Sequence, residues 1–386
     1  MTDETGRDDR PASVTCVSVG PEGHGVVRHG RAVARALRGL GLDVQERHAP
    51  DAAAFGLLGP ELAAVVRAGG TVHVDVTDAL FGASPDAAAD LLTATLPPGA
   101  AVTLHDVPQP AEGADRFRRR AAAYTRIARH AADVVVSSEH ERRLLTDIVD
   151  VPARVVPLPV DDRRDQAAAD DRTDAAGLLP EELSGLGQDV VVFGFLYPGK
   201  GHREAIDALA VLAARDAGAG LPGPGEGRMP AAPRRVTALG PVADGHDDLV
   251  EALRAHAAAN GLRFRVTGRV PDDLLDAALR AAGVPVAAHR NVSASGSLNS
   301  WIGGGRRVVV PEGRYTAEME RLRPGTLRLV AGDGPEALAE AIAEAASDPV
   351  RTRLGPEVRL PPGPRGGAPL PSAYELAVEL AEEALA

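Results

Sequence analysis

Short apolar runs rich in valine recur along this chain, each followed by a segment whose apolar residues fall at helical spacing. That alternation limits the fold more than any other feature. Strands are predicted at Val14 to Val19, Leu42 to Arg47, Thr71 to Val76, Ala101 to His105, Asp133 to Ser137 and Arg154 to Pro157. A second series begins at Val190 and continues at Arg235 to Leu239, Phe264 to Gly268, Val284 to Ala288, Arg307 to Val310 and Thr326 to Val330. Strands joined by crossover helices run parallel, are covered on both faces, and bind ligands at their carboxyl ends. The fold class is therefore α/β.

A chain of 386 residues is too long for one ordinary core and suits two domains. Residues 1–13 read as a disordered tail and 14–160 as the first domain. The span 161–188 reads as a linker, because Asp161 to Asp174 is highly charged and Leu179 to Gln188 is turn-rich. Residues 189–360 form the second domain. Beyond them a proline-glycine tether, Leu360 to Pro371, leads to a helix within 372–386, and its length would let that helix cross back to the first domain.

Composition removes several classes. A net charge of −12 argues against nucleic acid as the main partner. One cysteine, Cys16, allows neither a disulfide framework nor a cysteine zinc site and favours a reducing compartment. No signal peptide or membrane span is apparent, so a cytoplasmic location is expected. Arg116, Arg118, Arg119, Arg120 and Arg126 share one predicted helix, where a solvated face is favoured and membrane contact is at most peripheral.

Chemistry concentrates where strands end. After the run Val190 to Phe193 comes Gly194-Phe195-Leu196-Tyr197-Pro198-Gly199-Lys200-Gly201, then a helix. Strand, glycine turn and helix start suit an oxyanion: glycines admit the backbone, the helix start is partly positive, and Lys200 adds a full charge. Gly296 and the serines of Asn291 to Ile302 stand ahead of another helix and repeat that physics. Together the two loops point to a phosphate-bearing ligand. Gly20-Pro21-Glu22-Gly23-His24-Gly25 follows the first strand, where a glycine turn serves either a ligand or a tight connection. His105-Asp106 closes another strand and places an imidazole and a carboxylate at the ligand edge, with a buried structural histidine the competing reading. Ser138 and Glu141 form a capping-box pattern and read as structural.

In that order, the glycine turn after the first strand, Gly194 to Gly201 and Thr267-Gly268-Arg269-Val270-Pro271-Asp272 make the chain resemble a GT-B glycosyltransferase, most nearly of family 4. The resemblance implies two Rossmann-like domains facing a central cleft, with the acceptor read by the first and a nucleotide-sugar donor held by the second. It implies retaining transfer of a hexose to a carbohydrate, lipid-linked or small-molecule acceptor, with no cofactor and no metal. Gly23, His24 and Gly25 would lie beside the donor diphosphate. The catalytic residues would be His105, near the transferred sugar, and Lys200, on the leaving diphosphate. Arg269 and Val270 would flank the base, and the amides of Gly296, Ser297 and Leu298 would hold the distal phosphate.

Two departures stand out. Phe195 replaces an arginine, and no carboxylate occupies Val292 or Ser293, or Ser300 or Trp301, where the resemblance expects glutamates. Asn299 or Ser300 is then the neutral hydrogen-bonding substitute, and Arg306 or Arg307 the replacement cation. The competing readings are a non-catalytic homologue that binds a sugar or nucleotide or supports a partner glycosyltransferase, and a GT-B epimerase or phosphorylase.

Overall fold

The computed structural model describes residues 13–164, 179–218, 232–332 and 334–360. The expected tail, most of the expected linker and the helix expected within 372–386 lie outside the described residues. The described chain forms two compact units, the first ending at Pro159 and the second spanning Val160–Leu360.

The first unit runs β1 (Val14–Val19), α1 (Gly25–Gly39), β2 (Val44–Ala49), α2 (Ala52–Gly56), α3 (Gly59–Arg67), β3 (Thr71–Val76), α4 (Pro85–Thr95), β4 (Ala100–Leu104), α5 (Ala114–His130), β5 (Asp133–Val136), α6 (Glu139–Thr146) and β6 (Arg154–Val155). All its strands are parallel, in the order β2-β1-β3-β4-β5-β6. The period-two rule sorts the side chains. Val72, Val74 and Val76 of β3 join Leu92, Leu104 and Tyr124 in one core, while Val14 and Cys16 of β1 pack with Val33 and Leu37 of α1 in another. The alternate residues of β3, His73 and Asp75, are therefore buried on the face that α1 covers. Burial also pushes the Cys16 thiol up to about 12, which leaves it protonated and unreactive.

The second unit runs β7 (Val190–Phe193), α7 (His202–Gly218), β8 (Arg235–Leu239), α8 (Asp247–Ala259), β9 (Arg263–Val266), α9 (Asp272–Ala281), β10 (Val284–Pro285), α10 (Gly296–Gly303), β11 (Val308–Pro311), α11 (Arg314–Leu322), β12 (Leu327–Val330) and α12 (Pro335–Ser347). Its sheet is β10-β7-β8-β9, and a parallel bridge from Val286 to Val309 brings the β11-β12 pair alongside. The regular ladder of β10 ends at Pro285, short of the expected Ala288, although Val286 N–H still donates to Val191 O at 2.9 Å and Ala287 N–H to Val309 O at 3.0 Å. At the amino end of β7 the buried Asp189 accepts from Thr237 Oγ1 at 2.6 Å and Arg235 Nε at 2.8 Å, so its charge is matched.

Part of the expected linker belongs to this second unit. Leu183 and Leu186 are buried in its core beside Trp301 and Leu279. Turn-rich composition around them hid two apolar anchors that fasten the segment as two short 3-10 turns.

Candidate functional site

In the second unit the strand order reverses between β7 and β10, and a parallel sheet opens a ligand crevice at the carboxyl ends of such a pair. The loops leaving those two strands meet. Lys200 Nζ donates to Ser297 Oγ at 2.9 Å, and the lysine is only 6% exposed. Glycine makes the approach possible. Gly194 has φ +109°, and a Cβ there would lie 3.2 Å from Lys200 Nζ; Gly201 has φ +102°, and its Cβ would sit 2.7 Å from the Ala288 backbone. An L side chain at Gly201 would be both strained and in collision.

The start of α10 lies at this junction. Ser295 is its N-cap, its Oγ accepting the Leu298 N–H at 3.1 Å, and its own N–H donates to Tyr315 Oη at 3.0 Å. The Leu298 amide, expected at a phosphate, is thus engaged by the cap. Gly296 and Ser297 open the helix, where amides have no intrahelical acceptor, and nothing stands within 4 Å of a Cβ built on Gly296. Asn299 is buried one turn further on. Arg269 is exposed after β9, whereas the Val270 side chain is packed in the core near Ala278 and cannot itself reach a ligand.

Two more imidazoles lie close to Lys200. His202 is buried and His289 half-buried, and His202 Nδ1 and Nε2 and His289 Nε2 have no hydrogen-bond partner among the described residues. Burial, reinforced by the Lys200 charge, pushes His202 down to about 3 and His289 well below the usual imidazole range. Both are neutral, so Lys200 is the full cation at this junction.

The replacement cation expected nearby is elsewhere. Arg306 donates to the carbonyls of Leu279, Arg280, Ala282, Gly283 and Thr352 at 2.6–3.0 Å, closing the end of α9, and Arg307 Nε donates to Gly325 O at 2.8 Å. Both sit at the amino side of β11, the end opposite to the ligand edge.

The first unit reverses between β1 and β3. Gly23, His24 and Gly25 stand at the carboxyl end of β1, and His24 caps α1 by accepting the Val26 N–H on Nδ1 at 3.2 Å. Burial first, then neighbouring His105, lowers the affinity of His24 for a proton, against the opposite pull of Asp106. Gly25 has open space around its Cβ position.

His105 follows β4 and is buried. Its Nε2 lies 2.8 Å from Asp75 Oδ1, and His29 Nδ1 lies 2.6 Å from the same oxygen. The two imidazoles meet edge to face at 4.9 Å. Next to His105, Asp106 takes φ 55°, which few non-glycine residues adopt. Helix α5 braces that turn: Arg120 Nη2 donates to Asp106 O at 2.7 Å, and Tyr124 Oη to His105 O at 2.8 Å. A non-glycine left-handed residue held this firmly beside a histidine at a strand end is the kind of strain that marks a working site.

His29 and Asp75 escaped the sequence reading. The available signal was an ionisable residue at an inward position of the apolar strand Thr71–Val76, which demands a buried partner. Their donor atoms and His105 Nε2 all lie within 4.8 Å of one another, a spacing open to a metal. Both imidazole contacts are instead of hydrogen-bond length and converge on one carboxylate oxygen. The expected capping at Ser138 and Glu141 is present, with the Glu141 N–H on Ser138 Oγ at 3.0 Å.

No sequence-family profile and no curated protein matches this chain. Solved structures do. The Anabaena HepE protein, solved with UDP and glucose, superposes with TM-score 0.58 at 17% identity, covering 96% of this chain and 98% of its own. Sucrose-phosphate synthase from Thermosynechococcus elongatus gives 0.57 at 15%, covering 97% and 96%. A UDP-forming trehalose-phosphate synthase from Burkholderia xenovorans gives 0.56 at 12%, covering 86% of this chain and 75% of its own. With parallel α/β sheets in both units and this likeness across nearly its whole length, the chain has the GT-B fold.

Proposed function

We propose that this protein is a glycosyltransferase, similar to family 4, that transfers a hexose with retention from a nucleoside-diphosphate sugar to a carbohydrate, lipid-linked or small-molecule acceptor. The observation that carries the reading is the Lys200–Ser297 contact at the strand-order reversal of the second unit, beside the open start of α10. Charge accumulates on a departing nucleoside diphosphate, and a fixed lysine with helix-terminal amides stabilises charge where it develops. In this reading Lys200, Ser297 and the Gly296 amide hold the diphosphate, and Arg269 and the Val270 backbone border the base. For the first unit, the reading assigns His105 to the transferred sugar and the Gly23–Gly25 turn to ligand contact. Neither metal nor cofactor is required for that stabilisation. UDP is the first donor nucleotide to try, because HepE was solved with UDP and with UDP-glucose.

The test is a thermal-shift and turnover screen against uridine, guanosine, adenosine and thymidine diphosphate sugars, run on the wild type and on Lys200→Ala. One nucleotide should stabilise the wild type, and Lys200→Ala should lose about 10²–10³ in kcat, the size of losing one oxyanion donor. Equal responses of the two proteins to every donor would remove Lys200 from the diphosphate. Phe195 favours a second reading, since an exposed apolar ring stands where the resemblance expects a cation. Binding without transfer to any acceptor and without hydrolysis selects that non-catalytic alternative. Conversion of a donor with no acceptor present selects the epimerase or phosphorylase.

A further inference from the structure

Among the described residues, Asp75 has no lysine or arginine as a hydrogen-bond partner. Its Oδ1 meets two imidazole nitrogens, His29 Nδ1 at 2.6 Å and His105 Nε2 at 2.8 Å, and all three side chains are at most 7% exposed. A carboxylate stripped of water must be hydrogen-bonded, and an ionised carboxylate can only accept. Against the cost of burial, electrostatic attraction to His29, hydrogen bonds from His105 and His29, and a further attraction to His73 hold the Asp75 carboxyl far below the usual carboxylate range, so it is ionised. Both facing nitrogens then carry their protons.

Geometry therefore fixes one proton on each ring, on His29 Nδ1 and on His105 Nε2; a neutral His105 then has Nδ1 as its basic nitrogen. Helix α1 comes near enough for this because residue 30 is glycine: a Cβ there would lie 2.8 Å from Asp75 Oδ2 and 2.7 Å from Ser18 Oγ.

We propose that Asp75, steadied by His29, is a positioning residue: it locks the His105 ring so that a bare Nδ1 is presented as a hydrogen-bond acceptor for a hydroxyl of the sugar. The role of His105 toward a sugar rests on the function proposed above; the tautomers do not. Removing a carboxylate that orients a metal-bound histidine from behind typically costs 10- to 100-fold in activity, and a loss on that scale is expected for Asp75.

Two measurements test this. The first is nitrogen-15 NMR of ring-labelled histidine, assigned with His29→Gln and His105→Gln. It should show Nδ1–H at His29, Nε2–H at His105, and slowly exchanging ring protons that quicken in Asp75→Asn. A bare Nε2 or a protonated Nδ1 at His105, or ring signals indifferent to Asp75→Asn, overturns the proposal. So does a stoichiometric divalent metal found in the purified protein by elemental analysis, because a nitrogen cannot hold both metal and proton. The second is a mutant cycle on kcat/KM for the donor that the screen identifies. Asp75→Asn should cost about 10- to 100-fold in the wild-type background and nothing further in His105→Asn, since a residue acting through another is non-additive with it. Additive losses mean that Asp75 acts only on stability and sink the positioning role. Should Asp75→Asn not fold, His29→Gln removes one of the two donors and reads the same cycle. If the NMR result holds while no sugar is ever transferred, the proposed function has failed and the tautomer assignment stands.

Discussion

His202 shows how a single buried group can make stability depend on pH. It is the first residue of α7, 2% exposed, with its ring edge-on to Phe264 at 6.1 Å centroid separation. Burial, then Lys200, pushes it down to about 3, whereas an unfolded histidine titrates near 6.5. Between those values the unfolded chain binds a proton that the folded chain refuses, so stability is full above about pH 6.5 and falls as the solution is acidified. The loss approaches 1.4 kcal/mol per pH unit in that window, an upper bound for one group. Melting temperatures at several pH values should show the acid-side decline, and His202→Leu should flatten it. An unchanged slope in the variant would mean that His202 is not held neutral. Neither this nor His289 was legible in the sequence as chemistry, because His202 reads as an ordinary residue at a helix start. Only burial against Phe264 and Lys200 gives it an effect.

At the scale of elements, the strand series was legible because both halves obey one rule: valine-rich runs bury on both faces of a parallel sheet. β1, β3 and β8 were placed to the residue, whereas β2 was displaced by two, since buried Leu42 gives an apolar signal ahead of the strand and exposed His48 gives none near its end. What spacing could not supply was which end of a strand an arginine serves. Arg306 stands near the phosphate-type loop in sequence yet faces the other end of the sheet, tying the end of α9, the turn before β10 and Thr352 through five carbonyls. Its guanidinium is pushed down to about 9 by burial and by Arg353, so hydrogen bonds to the charged form keep it in place. Arg306→Met strips donors from a set of buried carbonyls and should cost about 3 kcal/mol or more in chemical denaturation. Arg306→Lys should recover little, because one ammonium cannot span a planar fork of acceptors. Full recovery by lysine would show that charge alone matters there. On α5 the arginines seen in the sequence are largely spent locally: Arg116 pairs with Glu112, Arg118 with Asp115, Arg126 with Asp90 and Arg120 with Asp78. The first three of these pairs lie at the surface and add little stability, whereas Arg120 and Asp78 are buried; together they cancel the basic patch that a membrane surface would need. Among the described residues no helix is long and apolar enough to cross a membrane.

For the molecule as a whole, the decisive quantity is the contrast between a net charge of −12 and one buried lysine in contact with the Ser297 hydroxyl. The long-range field repels polyanions, while Lys200, 6% exposed, acts at contact range where salt screens poorly. These two terms respond oppositely to ionic strength. Raising salt from about 50 to about 200 mM weakens the distant repulsion and leaves the local attraction largely intact, so nucleoside-diphosphate affinity should stay level or rise slightly. A protein that grips a phosphate backbone with 6–10 cations loses about 10³–10⁵ in affinity over that interval. Calorimetric titration of the nucleotide at both salt concentrations, with a duplex DNA control that shows no binding, distinguishes the cases. A fall of tenfold or more for the nucleotide would mean that several exposed cations make the contact, and the Lys200–Ser297 junction would then be a structural tie between two loops.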